Sequence, residues 1–222
     1  LEGATPDDFA ELANRVQDEL GRLDGILVCA ADFPGLTPFE LAEPAAFARS
    51  LHVTLTAPAL LVQACLPLLK QREDAAVVFC LDDPARVGAA YWGGYGVAQH
   101  GLRGLLASLH DELKQGPVRI AGLQPAPMRT ALRARAWSLD QDDAAGGPGA
   151  AAAAAPWAAA CCARAASARV ASALRNCFKS ASPALLPRIL QPPLGVQRGH
   201  AARACAGDGL AIDVVLHVAG GE

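Results

Sequence analysis

Three short, unbroken apolar runs constrain this chain more than any other feature: Gly25-Ile26-Leu27-Val28-Cys29-Ala30, Ala75-Ala76-Val77-Val78-Phe79-Cys80-Leu81, and Val118 to Leu123. A strand that is apolar at successive positions, rather than alternate ones, is buried on both faces, the condition of a strand inside a parallel sheet covered by helices. The segments between the runs have helical spacing. Thr5-Pro6-Asp7-Asp8 supplies a hydroxyl cap, a proline at the first helical position and carboxylates at the positive end. Phe9, Leu12, Ala13, Val16 and Leu20 then recur on one face. A second helix is predicted over 57–70, apolar nearly all round. A third is predicted over 94–113, with Ala98, Leu102, Leu105, Leu106, Leu109 and Leu113 on one side. Strands alternating with helices predict the α/β class: a parallel sheet flanked by helices.

At 222 residues and 52% hydrophobic content, the chain can bury one sizeable core. A net charge of −3 gives no reason to expect nucleic acid or an anionic membrane as partner. No apolar run approaches the roughly 18–20 residues that span a bilayer. The start shows no basic and apolar leader, and the seven cysteines include no C-x-x-C, which together point to reduced thiols in a cytoplasmic protein. Cys29, Cys65 and Cys80 lie in apolar runs and read as buried thiols. Cys161, Cys162, Cys177, His200 and Cys205 match no metal-site spacing, so no metal is expected. Composition divides the chain into an ordinary domain over 1–143 and an Ala/Arg/Pro-rich, irregular tail over 144–222. From Ala144 to Gly207 there is no Asp or Glu. The tail is expected to hold a short helix around Trp157 to Leu174.

Leu23-Asp24-Gly25-Ile26-Leu27-Val28-Cys29-Ala30-Ala31, Val77-Val78-Phe79, Tyr91-Trp92-Gly93-Gly94-Tyr95 and Leu123-Gln124-Pro125 follow one another without an obvious gap. In that order they resemble the short-chain dehydrogenase/reductase family. Trp92-Gly93-Gly94-Tyr95 and Arg129-Thr130-Ala131-Leu132-Arg133 are similar to motifs of its bacterial YciK-like group. The resemblance covers about residues 5–137 and implies a Rossmann-type layered fold; Leu216-His217-Val218-Ala219-Gly220-Gly221 is similar to the family's last strand, which implies a strand near 213–218. It implies NAD or NADP as cofactor and hydride transfer to or from a small carbonyl or alcohol substrate. Tyr95 takes the position of the family's catalytic tyrosine. Pro125 and Thr130 take cofactor-binding positions, Thr130 that of the threonine that meets the nicotinamide carboxamide. The resemblance also implies a homo-oligomer paired through helices 57–70 and 94–113.

Several positions depart from the family pattern, among them Ala126, where the family's Pro-Gly reads Pro125-Ala126. Its lysine, four residues after the tyrosine, lowers the tyrosine's pKa by placing a cation on the same helical face; Gln99 stands there without charge. Its serine falls at Asp82 or Asp83, where a carboxylate raises the tyrosine's pKa and repels a developing alkoxide. Asp82-Asp83-Pro84 also reads as a turn whose side chains cap local amides. Thr54 occupies the asparagine's position, and Cys29-Ala30-Ala31 replaces Asn-Ala-Gly. By the same likeness the chain begins near the end of the family's third strand. The first strands and the glycine-rich phosphate turn are then expected to be missing, and the strand at 25–30 to have an unpaired edge. Activity and cofactor binding by this chain are accordingly in doubt, with little or no turnover expected. Alternatives are a non-catalytic relative that acts through oligomer assembly, or an incomplete or frame-disturbed product.

Overall fold

The computed structural model describes residues 1–125 and 130–137, together with the backbone of 202–204 and 214–217. The helix expected around 157–174 and the cysteines and histidine at 161–205 lie outside the described residues.

Helix α1 (Pro6–Leu20) starts where the cap signals place it. The Thr5 amide donates to Asp8 Oδ2 at 2.7 Å, and Thr5 Oγ1 accepts from the Asp8 amide at 3.4 Å. This reciprocal box satisfies two amides that the helix itself leaves orphaned. Gly21 ends the helix with φ +66°, a left-handed conformation that glycine adopts without a Cβ penalty. Phe9, Ala13 and Val16 are the buried face of α1.

Strands β1 (Gly25–Val28), β2 (Ala75–Cys80) and β3 (Val118–Leu123) form the parallel part of the sheet, in the order β3-β2-β1. Gly25 pairs with Ala76 and Val28 with Phe79, while Ala75 pairs with Val118 and Cys80 with Leu123. All of β1 and nearly all of β2 are buried, as their uninterrupted apolar runs require. This is the parallel α/β layering expected from the sequence.

The second helix is longer than its apolar stretch suggests. Helix α2 (Pro44–Leu51) runs through a π-turn (His52–Thr56) into α3 (Ala57–Leu69) as one rod. Pro58 would press on the preceding carbonyls and cannot donate to them. Widening the helix just before it, with Ala57 donating to the His52 carbonyl, relieves that conflict. The combined helix, Pro44–Leu69, is 26 residues long and apolar enough to cross a membrane by length and composition alone. This corrects the reading that no such segment exists. Here it packs as a core helix, with Leu61, Val62, Cys65, Leu68 and Leu69 buried, and with contacts to α1, β1 and β2.

A short helix α4 (Pro84–Val87), the long α5 (Gly93–Leu113) and a short α6 (Ala131–Ala136) complete the parallel half. Two further strands, β4 (Ala202–Ala204) and β5 (Val214–His217), extend the sheet to the order β3-β2-β1-β5-β4. Strand β5 falls inside the 213–218 stretch expected to hold a last strand. It pairs antiparallel with β1, Gly25 opposite His217 and Val28 opposite Val214. The unpaired edge expected at 25–30 is therefore filled, because the chain's own late strand satisfies the amides and carbonyls of β1.

Candidate active site

The C-terminal ends of β1 and β2 face the N-terminal half of α5, and the candidate residues meet there. Tyr95, Gln99 and Arg103 recur every four residues on α5, so they stack along one helical face. Each reaches Asp82, two residues past the end of β2, or one of its neighbours. The Tyr95 hydroxyl donates to Asp82 Oδ2 at 3.1 Å. Gln99 Nε2 donates to the Tyr95 oxygen at 3.4 Å, and its Oε1 accepts from the Asp82 amide at 3.1 Å. Arg103 donates to the Asp82 carbonyl at 2.6 Å and to Gln124 Oε1 at 3.1 Å. Tyr95, Asp82 and Gln99 thus close a hydrogen-bonded ring.

This ring fixes the proton on the tyrosine. Tyr95 is only 3% exposed. Burial, more than anything else, pushes its pKa above the ordinary tyrosine value; the charge of Asp82 and the hydrogen bond to it push the same way, and the Gln99 amide only partly opposes them. Asp83 has a separate task. Its Oδ1 accepts from the Ala85 amide at 3.0 Å and caps α4, while Asp82 Oδ1 accepts from the Asp83 amide at 2.7 Å. The turn reading of Asp82-Asp83-Pro84 therefore holds for its local bonds, and Asp82 contacts the tyrosine as well.

Around Tyr95 stands an aromatic wall that spacing in the sequence does not reveal. Phe33 stacks on Trp92 with ring centroids 5.0 Å apart and tilts against Tyr95 at 5.4 Å. Trp137 meets Trp92 at 5.5 Å, with the Arg86 and Arg133 guanidinium groups 5.2 and 5.3 Å from its centroid. Arg135 donates to the Phe33 carbonyl at 3.2 Å and ties α6 to the loop after β1. These contacts join residues up to 102 positions apart, beyond the reach of any local pattern.

Thr54, at the asparagine's position, is buried in the π-turn, and its Oγ1 accepts from the Asp32 amide at 3.0 Å. Asp32, which sequence reasoning passed over, is buried and accepts from Ser50 Oγ at 3.0 Å and Arg49 Nε at 3.2 Å. Thr54 therefore anchors the loop after β1. Thr130 is exposed and caps α6, accepting from the Arg133 amide at 3.1 Å. Leu132, Ala136 and Trp137, in and just after α6, pack into the Tyr95 cluster, so Thr130 sits on the element that leans on the tyrosine. Pro125 follows β3 and is partly buried. Cys65 is fully buried as expected, but Cys29 and Cys80 are partly exposed, because they lie at the ends of β1 and β2 rather than in the middle of the sheet.

Gly94 and Gly96, in the first turn of α5, are committed to packing. A Cβ at Gly94 would come within 2.9 Å of the Phe47 carbonyl oxygen, and one at Gly96 within 2.2 Å of that of Val87. They admit neighbouring backbone and do not form a phosphate cradle. Among the described residues, no glycine-rich turn joins a strand directly to a helix N-terminus.

The profile of the short chain dehydrogenase family matches residues 3–141. The uncharacterized oxidoreductase YciK of Escherichia coli (strain K12) is 32% identical over 133 residues, which is 60% of this chain and 52% of that protein. The chain therefore spans about half the length of this curated relative. A Pseudomonas syringae structure superposes with a TM-score of 0.63 at 39% identity, covering 67% of this chain and 60% of that one. A structure from Escherichia coli CFT073 complexed with NADPH gives a TM-score of 0.63 at 30% identity, over 67% of this chain and 61% of that one.

Proposed function

The chain belongs to the short-chain dehydrogenase family, and on that premise we propose that it carries the family's oxidoreductase scaffold with a proton-transfer site that supports little or no turnover. One observation carries this reading: the buried Tyr95 hydroxyl donates to the carboxylate of Asp82, and the other partner of its oxygen is the uncharged Gln99. When bound, a nicotinamide cofactor, NAD or NADP, supplies or accepts hydride at a small carbonyl or alcohol carbon. The protein's part is to move a proton at the substrate oxygen.

Tyr95 is poorly suited to either direction of that transfer. Giving its proton up would leave a phenolate beside Asp82, and accepting one requires a phenolate beforehand. Gln99 can orient the hydroxyl but brings no charge to stabilise its anion. The carboxylate of Asp82 also opposes negative charge developing on a substrate oxygen. Toward the cofactor, the exposed Thr130 offers a hydroxyl for the nicotinamide end, while both polar atoms of Gln99 are taken up in the buried ring. At Gly94 and Gly96 neighbouring backbone already fills the space that a cofactor phosphate would need. The family relation and the NADPH carried by a similar structure support a nicotinamide as the ancestral ligand. A cytoplasmic location goes with the same reading.

Nicotinamide fluorescence titration of the full chain tests it. The expected result is no saturable enhancement in the micromolar range with NADH or NADPH, and micromolar binding of either would overturn the cofactor part of this reading.

A second reading, assembly into a homo-oligomer, rests on α3 and α5. Leu60, Leu66, Leu105, Leu106 and Leu109 are only partly buried, and Val97 is 54% exposed. Such apolar helix surface is suited to a partner helix of a second copy. Light scattering would read a dimer or larger assembly if this holds, and a monomer if it does not.

A further inference from the structure

Cys29 follows directly on β1, and Cys80 is the last residue of β2. The parallel register pairs Val28 with Phe79, so one further step along both strands sets Cys29 opposite Cys80. Adjacent strands lie about 4.8 Å apart, inside the roughly 4.4–6.8 Å Cα separation that a disulfide bridges. Opposed residues on parallel strands project to the same face, and the two Sγ atoms are 2.9 Å apart. Both residues are partly exposed, unlike Cys65, which is fully buried and whose thiol burial pushes up to about 11. The position matters as well: Cys80 precedes Asp82 by two residues, and Cys29 heads the loop that carries Asp32 and Phe33.

We propose that Cys29 and Cys80 are a redox-reactive dithiol that closes reversibly to a disulfide across the ends of β1 and β2, with low-molecular-weight disulfides as the oxidant class. The thiolate of one cysteine attacks a sulfur of the oxidant, whose S–S bond breaks and releases one small thiol. The second cysteine, as its thiolate, attacks the resulting mixed disulfide, and the second small thiol leaves. Two protein thiols lose two electrons and two protons, and the oxidant is reduced to two thiols. The closed form pins the loop that carries Phe33 to the strand that leads to Asp82. A dithiol suits a reducing compartment, where reversible disulfides act as sensors rather than as structural staples. The proposal does not depend on whether Tyr95 supports turnover.

Oxidised glutathione is the probe. The full chain, fully reduced and freed of reductant, is incubated with it, quenched in acid, alkylated under denaturing conditions and digested with trypsin. Cleavage after Arg22, Arg49, Lys70, Arg72 and Arg86 leaves Cys29, Cys65 and Cys80 on separate peptides, 23–49, 50–70 and 73–86. The expected product is peptide 23–49 joined to 73–86, lighter by two hydrogens than the sum of the two. Alkylation of Cys29 and Cys80 is lost, alkylation of Cys65 is retained, and dithiothreitol reverses the change. In Cys29→Ser and in Cys80→Ser the remaining cysteine should be trapped as its glutathione adduct. Full alkylation of both cysteines after oxidation, or their appearance in wild type as separate adducts or linked to other cysteines, would overturn the proposal.

Discussion

Replacing Asp82 by asparagine, in a chain whose only tyrosine is Tyr95, should bring the Tyr95 hydroxyl back toward its ordinary acidity. The sequence has two tyrosines, and Tyr91 is 58% exposed, so Tyr91→Phe provides the background. The phenol and carboxylate oxygens are 3.1 Å apart. A unit charge at that distance costs a phenolate about 1.3 kcal/mol at the dielectric of water and about 5 kcal/mol at an effective value near 20. With 1.36 kcal/mol per pK unit, Asp82→Asn should lower the Tyr95 pKa by about one to four units. Adding Gln99→Lys places an ammonium four residues along the same helical face and lowers it further. The assay is tyrosinate ultraviolet absorbance followed beside far-ultraviolet circular dichroism during alkaline titration. In the parent, absorbance should rise only as the helical signal is lost. In Asp82→Asn/Gln99→Lys it should rise first, while the fold is intact. The sign of the coupling to stability follows from the raised pKa. Above a pH of about 10 the unfolded chain releases a proton that the folded chain keeps, so stability falls as pH rises, by up to about 1.4 kcal/mol per pH unit. A parent whose tyrosine ionises near its ordinary value with the fold intact would refute this reasoning, as would a titration unmoved by Asp82→Asn.

Two glycines on one helix should respond to alanine with opposite signs. At Gly96 a Cβ meets the Val87 carbonyl, and Gly96→Ala should destabilise by about 1–3 kcal/mol. At Gly104 nothing lies within 4 Å, and Gly104→Ala should stabilise by up to about 1 kcal/mol through helix propensity. Urea midpoints at constant slope measure both, and equal shifts in one direction would contradict the packing described. Asp32→Ala leaves the buried Ser50 hydroxyl without its acceptor, and a loss of about 1–3 kcal/mol should appear in the same measurement. No loss would mean that Asp32 does not anchor the loop.

Where the sequence was legible, short-range physics wrote the signal. Thr5-Pro6-Asp7-Asp8 marks the start of α1 because capping acts within one turn. The strands are visible because burial on both faces leaves no polar position to interrupt them. Tyr95 and Gln99 could be read as site partners since a helix brings residues four apart together. The opening half of the long helix went unread: Pro58 looks like a start, and only the π-turn lets the helix pass through it. Phe33, Trp137 and Arg135 were invisible because their contacts depend on tertiary closure of distant loops. The filled edge of β1 has the same origin. A strand near 213–218 could be anticipated from the likeness of Leu216 to Gly221 to the family's last strand, but its antiparallel pairing with β1 could not.

The central claim, a family fold whose proton-transfer site is locked, is tested most directly by nicotinamide turnover. The full chain, mixed with NADPH and small aldehydes and ketones, is followed by loss of nicotinamide absorbance beside a Tyr95→Phe variant. The account predicts indistinguishable traces, both far below the turnover of about 1 per second at the low end for enzymes. Consumption of NADPH at that rate or faster, abolished in Tyr95→Phe, would contradict it.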